Sequence, residues 1–145
     1  MLKIINSNDD DDTKYIGDDP VRPHIPIQNR IGKNQKIFLL YDGDKIQAIT
    51  CVSFNNSVPV DEDTLFTDED DINLVVFYTI WSYVPGKARD LLFSVVDYIK
   101  ENLPEVKRFV TLSPKTEMAK KFHLRNGAFI FSENETSINY EYNRV

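Results

Sequence analysis

Two stretches of this chain hold residue types at spacings that could do chemistry. In Ser82-Tyr83-Val84-Pro85-Gly86-Lys87-Ala88-Arg89, a proline–glycine turn leads from an apolar run into an amphipathic one. A tight turn that opens a helix leaves backbone N–H groups unpaired beside the positive end of the helix dipole. Such a nest attracts phosphate; Gly86 and Ala88 are small enough to let a ligand approach, and Lys87 and Arg89 add charge against a pyrophosphate. An ordinary strand-to-helix connection has the same look, so both readings stand at this point. The terminal Lys-Ser/Thr pair of a Walker loop is absent, which excludes that type of site. The second stretch centres on His123, one turn before the end of a helix that follows Ser113, near the apolar positions Ala119 and Phe122. An imidazole there can transfer a proton, or simply pack and face the negative end of its helix. The only other histidine, His24, stands at no metal-ligand spacing from it, so no metal site is expected. Nothing marks a nucleophile elbow. Cys51 lies in a strand-like run and reads as a small core residue; as the single cysteine it excludes an intrachain disulfide.

The elements that must position these residues follow from periodicity. Residues 2–5 suit a short strand, and 36–54 a hairpin around Asp42-Gly43-Asp44 whose second arm is apolar on both faces, hence covered on two sides. Asn73 to Tyr83 is β-branched and aromatic almost throughout, a long strand that Pro85-Gly86 breaks. From Lys87 the period becomes helical, with one stripe through Ala88, Leu91, Leu92, Val95, Val96, Ile99 and Leu103 until Pro104. Arg108 to Leu112 is a short strand. Ser113 is expected to cap the next helix with Pro114 in its first position, and Gly127 to end it after Asn126 in a left-handed conformation. Ala128–Phe131 and Ser137–Tyr142 form a last hairpin. Residues 55–71 form a polar, acidic connector. Residues 6–35, with three prolines and an acidic run, have neither period and read as irregular, partly mobile structure; Arg22, His24 and Arg30 are the residues there that could fold over a cleft. The succession gives a single α/β domain over 1–145 with a mixed sheet.

Strand, glycine turn, helix, strand, then Ala-x-x-Phe-His-x-x-x-Gly-Ala together resemble the acyl-CoA core of the GNAT acetyltransferase superfamily, here over residues 73–142. Gly86-Lys87-Ala88 matches the second half of that family's pyrophosphate loop, while Tyr83 stands where Gln or Arg is expected. His123 stands where the family usually has a tyrosine that protonates the departing CoA thiolate, and Thr116 where it often has an asparagine. Thr111-Leu112-Ser113-Pro114, Phe122 to Ala128 and Asn139-Tyr140-Glu141-Tyr142 resemble, in this order, the catalytic domain of malonyl-CoA decarboxylases, itself GNAT-like. That family's histidine works with a serine just before the LSP; Val110 and Thr111 stand there instead, and its helical N-terminal domain is not matched. Short proteins of tailed phages are also similar.

The resemblance implies a GNAT-like α/β fold with two main helices and a reduced N-terminal helical region. It implies an acyl-CoA, such as acetyl-CoA, as substrate, held by Trp81, Ser82, Tyr83, Val84, Gly86, Lys87, Ala88, Arg89, Ser113 and Phe122. His123 would be catalytic in direct transfer to an amine, with a backbone N–H of the long strand polarising the carbonyl. A non-catalytic CoA-binding or structural module and a malonyl-CoA-decarboxylase-like enzyme are the alternatives. GNAT enzymes usually place one or two helices between their first two strands; residues 6–35 promise none, so the acceptor site would be open, built from the proline-rich loop or completed by a partner, with a homodimer left open.

Composition limits the rest. At 145 residues with 41% hydrophobic side chains the chain can bury a core, and a net charge of −6 argues against nucleic acid or an anionic membrane as partner. No run is long and apolar enough to span a bilayer, and the start is too short and too acidic for a signal peptide, so the cytoplasm is expected (the host's if phage-encoded).

Overall fold

The β-branched and aromatic runs pair into one eight-stranded mixed sheet, and the two amphipathic runs pack on it as helices. The computed structural model describes residues 1–143. Strands β1 (Leu2–Ile5), β2 (Gln35–Asp42), β3 (Lys45–Asn55) and β4 (Leu74–Ser82) lead into helix α1 (Lys87–Asn102). β5 (Arg108–Thr111), a two-residue β6 (Ser113–Pro114), helix α2 (Glu117–Arg125), β7 (Ala128–Glu133) and β8 (Ser137–Tyr142) follow. The sheet order is β1-β2-β3-β4-β5-β8-β6, with β7 on β8, and β4–β5 is the parallel pair across the α1 crossover.

Both faces of the sheet are covered, as the two-sided apolarity of β3 demanded. One face meets α1 through Leu91, Leu92, Val95, Val96 and Ile99, all buried, each worth about 1.5–3 kcal/mol of apolar burial. Among the described residues the other face carries no α-helix. Residues of the long β1–β2 connection, Ile16 and Ile25 among them, and Leu65 from the β3–β4 connection cover Ile37, Ile49, Val76 and Trp81 there. The β1–β2 connection contains only two 3-10 turns, Asp11–Asp18 and Ile27–Asn29.

That connection is not the loose segment its composition suggests. The side chains of Asp19 and Arg30 are both 0% exposed and form an ion pair at 2.7 Å. Arg30 also donates to the carbonyls of Ile25 and Arg22, and Asp19 accepts from the N–H groups of Val21 and Arg22 and from Thr79 of β4. Burial alone would raise the Asp19 carboxyl, but the Arg22 N–H, Arg30 and Thr79 outweigh it and hold the group below the usual carboxylate range. Residues 18–31 thus form a fixed strap.

A second correction concerns the start of α2. Ser113 does not cap it: Ser113–Pro114 pair with β8, and the buried Ser113 hydroxyl donates to Thr111. Thr116 is the N-cap, its hydroxyl accepting from the Ala119 N–H. Gly127 ends the helix as expected, at φ +100°.

Candidate active site in the fork between β4 and β5

Parallel pairing of β4 with β5 stops at Phe77–Thr111, with one further bond from the Leu112 N–H to the Phe77 carbonyl. The cause lies on the other side of β4. Against β3, Cys51 faces Thr79 and Val52 faces Phe77, so Tyr78 is an extra, bulged residue. A bulge bends its strand and increases twist, and it falls where β4 leaves β5. On the far arm Pro114 has no N–H to offer, and Ser113–Pro114 stay on β8 in the register that β5 already holds. The two strands therefore splay into a fork.

The fork encloses a cavity of about 390 Å³. Phe77–Ser82 of β4 form one wall, and Ser113, Pro114 and Thr116 the other. Ala88 of α1 and Met118, Ala119, Phe122 and His123 of α2 close the helix side, while Pro20 and Val21 of the strap close the opposite one. Of the ten expected acyl-CoA contacts, Trp81, Ser82, Ala88, Ser113 and Phe122 line this cavity. Val84, Gly86, Lys87 and Arg89 lie outside it, around the start of α1.

At that start Gly86 adopts φ +84° as the N-cap with no side-chain cap, and a Cβ added to it would meet nothing within 4 Å. The glycine is required by conformation, and the turn is open to a ligand. Lys87 N–H bonds the Val84 carbonyl, whereas the N–H groups of Gly86, Ala88 and Arg89 take no acceptor among the described residues. Lys87 lies 3.4 Å from Asp90, and Arg89 stacks over Phe93 at 5.2 Å. Tyr83 is tied elsewhere: its hydroxyl donates to Asp18 and accepts from Trp81, and its ring meets Tyr15 edge-on. Burial and then Asp18 push its phenol up to about 12.

His123 is 5% exposed and stacks on Tyr140 at 5.0 Å. Its Nδ1 lies 2.7 Å from the Tyr142 hydroxyl. Burial lowers the imidazole to about 4, so it is neutral at physiological pH, and burial also raises the Tyr142 phenol. Among the described residues the Tyr142 hydroxyl has no other acceptor at hydrogen-bond distance, so satisfying its proton there requires Tyr142 to donate to Nδ1. The Nε2 then carries the hydrogen. Among the described residues it has no hydrogen-bond partner, and it is not a fully buried atom, so it is accessible as a donor. Tyr142 was not singled out as the histidine's partner from sequence, although it sits in the Asn139–Tyr142 segment. Thr111, the hydroxyl standing near the expected serine, is fully buried and accepts from Ser113 and the Tyr140 N–H. It does not line the fork.

A second cavity, of about 360 Å³, lies beyond Arg22 and Pro114, and Asp61, Glu62 and Asp63 form its rim. Glu62 pairs with Arg22 at 2.6 Å and with His24 at 2.8 Å; those partners outweigh burial and hold it below the usual carboxylate range.

Solved structures share this architecture. Malonyl-CoA decarboxylase from Rhodopseudomonas palustris matches with a TM-score of 0.74 at 17% identity, over 99% of this chain and 60% of its own. The decarboxylase from Agrobacterium vitis matches at 0.67 and 22% identity, over 84% of this chain and 35% of its own. A GNAT family acetyltransferase from Elizabethkingia anophelis with acetyl-CoA bound matches at 0.65 and 10% identity, over 98% of this chain and 96% of its own. This chain thus spans at most 60% of those two decarboxylases, and nearly all of the acetyltransferase. No family model and no curated protein matches the sequence. The fold is the GNAT-like α/β fold anticipated from residues 73–142, with its N-terminal helical part reduced to 3-10 turns.

Proposed function

We propose that this chain binds an acyl-CoA in the fork and transfers the acyl group to an amine. The observation that carries the reading is the unfilled fork itself, with unpaired amides at the neighbouring start of α1 and an accessible imidazole donor in its wall. The pantetheine arm would lie along Tyr78–Ser82, and the pyrophosphate would meet the N–H groups of Gly86, Ala88 and Arg89, with Lys87 and Arg89 near it. Trp81, Ser82, Val84, Ser113 and Phe122 remain contact candidates; Tyr83 serves through its backbone, since its phenol is held by Asp18.

The amine nitrogen attacks the thioester carbon, the carbon–sulfur bond breaks, and the proton lost by the amine ends on sulfur. A neutral imidazole at pKa about 4 is not a cationic acid. Its part is to donate an Nε2 hydrogen bond to the developing thiolate, with Tyr142 fixing the tautomer, in a mainly apolar cleft where such a bond counts for more than in water. The carboxylates of Asp61 and Asp63, beside a Glu62 already paired with Arg22 and His24, suit an acceptor with a cationic group approaching through the second cavity.

Malonyl-CoA decarboxylation fits less well. Among the described residues no lysine or arginine lines the cavity itself, the Arg22 guanidinium is taken up by Tyr78, Leu112 and Glu62, and His123 is uncharged, so a malonyl carboxylate would meet no free cation there. Acetyl-CoA should raise the melting temperature through binding to the folded state, and incubation with a panel of amines should release free thiol. His123→Phe should abolish that release while leaving acetyl-CoA affinity largely intact. Turnover surviving the substitution contradicts the role of His123; binding without turnover by the wild type indicates a binding module.

A further inference from the structure

We infer that Arg22 is a positioning residue that holds the fork open, and that the strap is a fixed wall of the acyl site; this rests on the acyl-CoA reading. Splaying two parallel strands strips carbonyls of their ladder partners. At this fork those are the oxygens of Tyr78 on β4 and Leu112 just beyond β5. One guanidinium serves both: Arg22 Nε donates to Tyr78 at 2.9 Å and Nη2 to Leu112 at 2.9 Å. Its Nη1 donates to Glu62 at 2.6 Å, which balances the charge. A planar fork with donors on two edges can bridge oxygens on separate strands; an ammonium is a point donor and lacks that geometry.

The arginine does not reach the fork by chance of rotamer. Asp19 accepts from the Arg22 N–H at 3.0 Å and from Thr79 at 2.7 Å, and Arg30 donates to the Arg22 carbonyl at 2.7 Å. Backbone on both sides of Arg22 is thereby fixed by a fully buried ion pair that is itself anchored on the β4 arm of the fork. Without the guanidinium, the Tyr78 and Leu112 oxygens turn to water or to each other's strand, and the spacing that admits a pantetheine arm is no longer held.

Arg22→Lys and Arg22→Gln test this by amide hydrogen exchange and by acetyl-CoA calorimetry on the whole chain. Both variants should exchange about tenfold faster at residues 78–82 and at 112, 113, 115 and 116, the size expected from losing one net hydrogen bond, with β2 and β3 unchanged. Acetyl-CoA affinity should fall by a similar factor. Should Arg22→Gln fail to fold, Arg22→Lys, which keeps the charge, decides alone. Exchange that is unchanged at the fork, or accelerated evenly over the sheet, overturns the inference. If the wild type binds no acetyl-CoA, the acyl-CoA reading fails, and the localised exchange still reports on the clamp.

Discussion

Each face of the sheet buries an ionisable group, and the two are handled in opposite ways. On the strap face Arg30 and Asp19 stay charged with no exposure, and their polar atoms are engaged by each other, by strap backbone, by Thr79 and by Cys51. On the helix face His123 has lost its charge and keeps one phenol and one stacked ring. A charge removed from water persists only when it is fully paired; a base that can shed its proton does so. A saturated network has nothing left for a ligand. His123 lines the fork with its Nε2 unpaired among the described residues, and on the proposed reading that asymmetry separates scaffold from chemistry.

Breaking the saturated side should have the largest effect. Arg30→Met leaves Asp19 buried without its countercharge, and urea denaturation should register a loss of about 3–5 kcal/mol. The double variant with Asp19→Asn should cost far less than the two single losses added; additive losses would mean that the pair does not act as one unit.

The discharged side should reveal itself through pH. Between about 6.5 and 4 the unfolded chain takes up a proton that folded His123 refuses, so stability falls as pH falls through that window and is unaffected by this group above it. The loss is on the order of 3 kcal/mol. Asp19, held low, contributes its loss at still lower pH, as its carboxylate is protonated. Chemical denaturation of wild type and His123→Phe across pH 4–7 should give a slope in the first and a flatter line in the second; parallel curves would break the comparison. A smaller effect sharpens it. Tyr142→Phe removes the donor to Nδ1, costs about 1–2 kcal/mol, and should move the imidazole ¹⁵N shifts away from the Nε2–H tautomer.

The helix face was the legible one. Its signals are local: the apolar stripe of α1, the break at Pro85-Gly86, and the stop at Gly127 each lie within one element and its neighbour. The error at Ser113 came from the same locality. Ser-Pro is a good helix start in isolation, but β8 claims Ser113–Pro114, and Thr116 caps the helix instead. The strap face was opaque because its order comes from contacts across the chain. Arg22 meets carbonyls 56 and 90 residues away, and no period announces them. Tyr83 illustrates the same point, since its place in the loop pattern gave no hint of Asp18, 65 residues earlier. The fork itself arises from a bulge at Tyr78, set by pairing with β3, inside a run that reads as an uninterrupted strand.

The most direct test is a crystal structure of the chain with acetyl-CoA. The arm should lie between Tyr78–Ser82 and Ser113–Pro114, with phosphates at the free amides of Gly86, Ala88 and Arg89 and the thioester within hydrogen-bonding reach of His123 Nε2. Density for the ligand on another face, or β4 and β5 paired beyond Phe77–Thr111 with the cavity closed, would contradict the account.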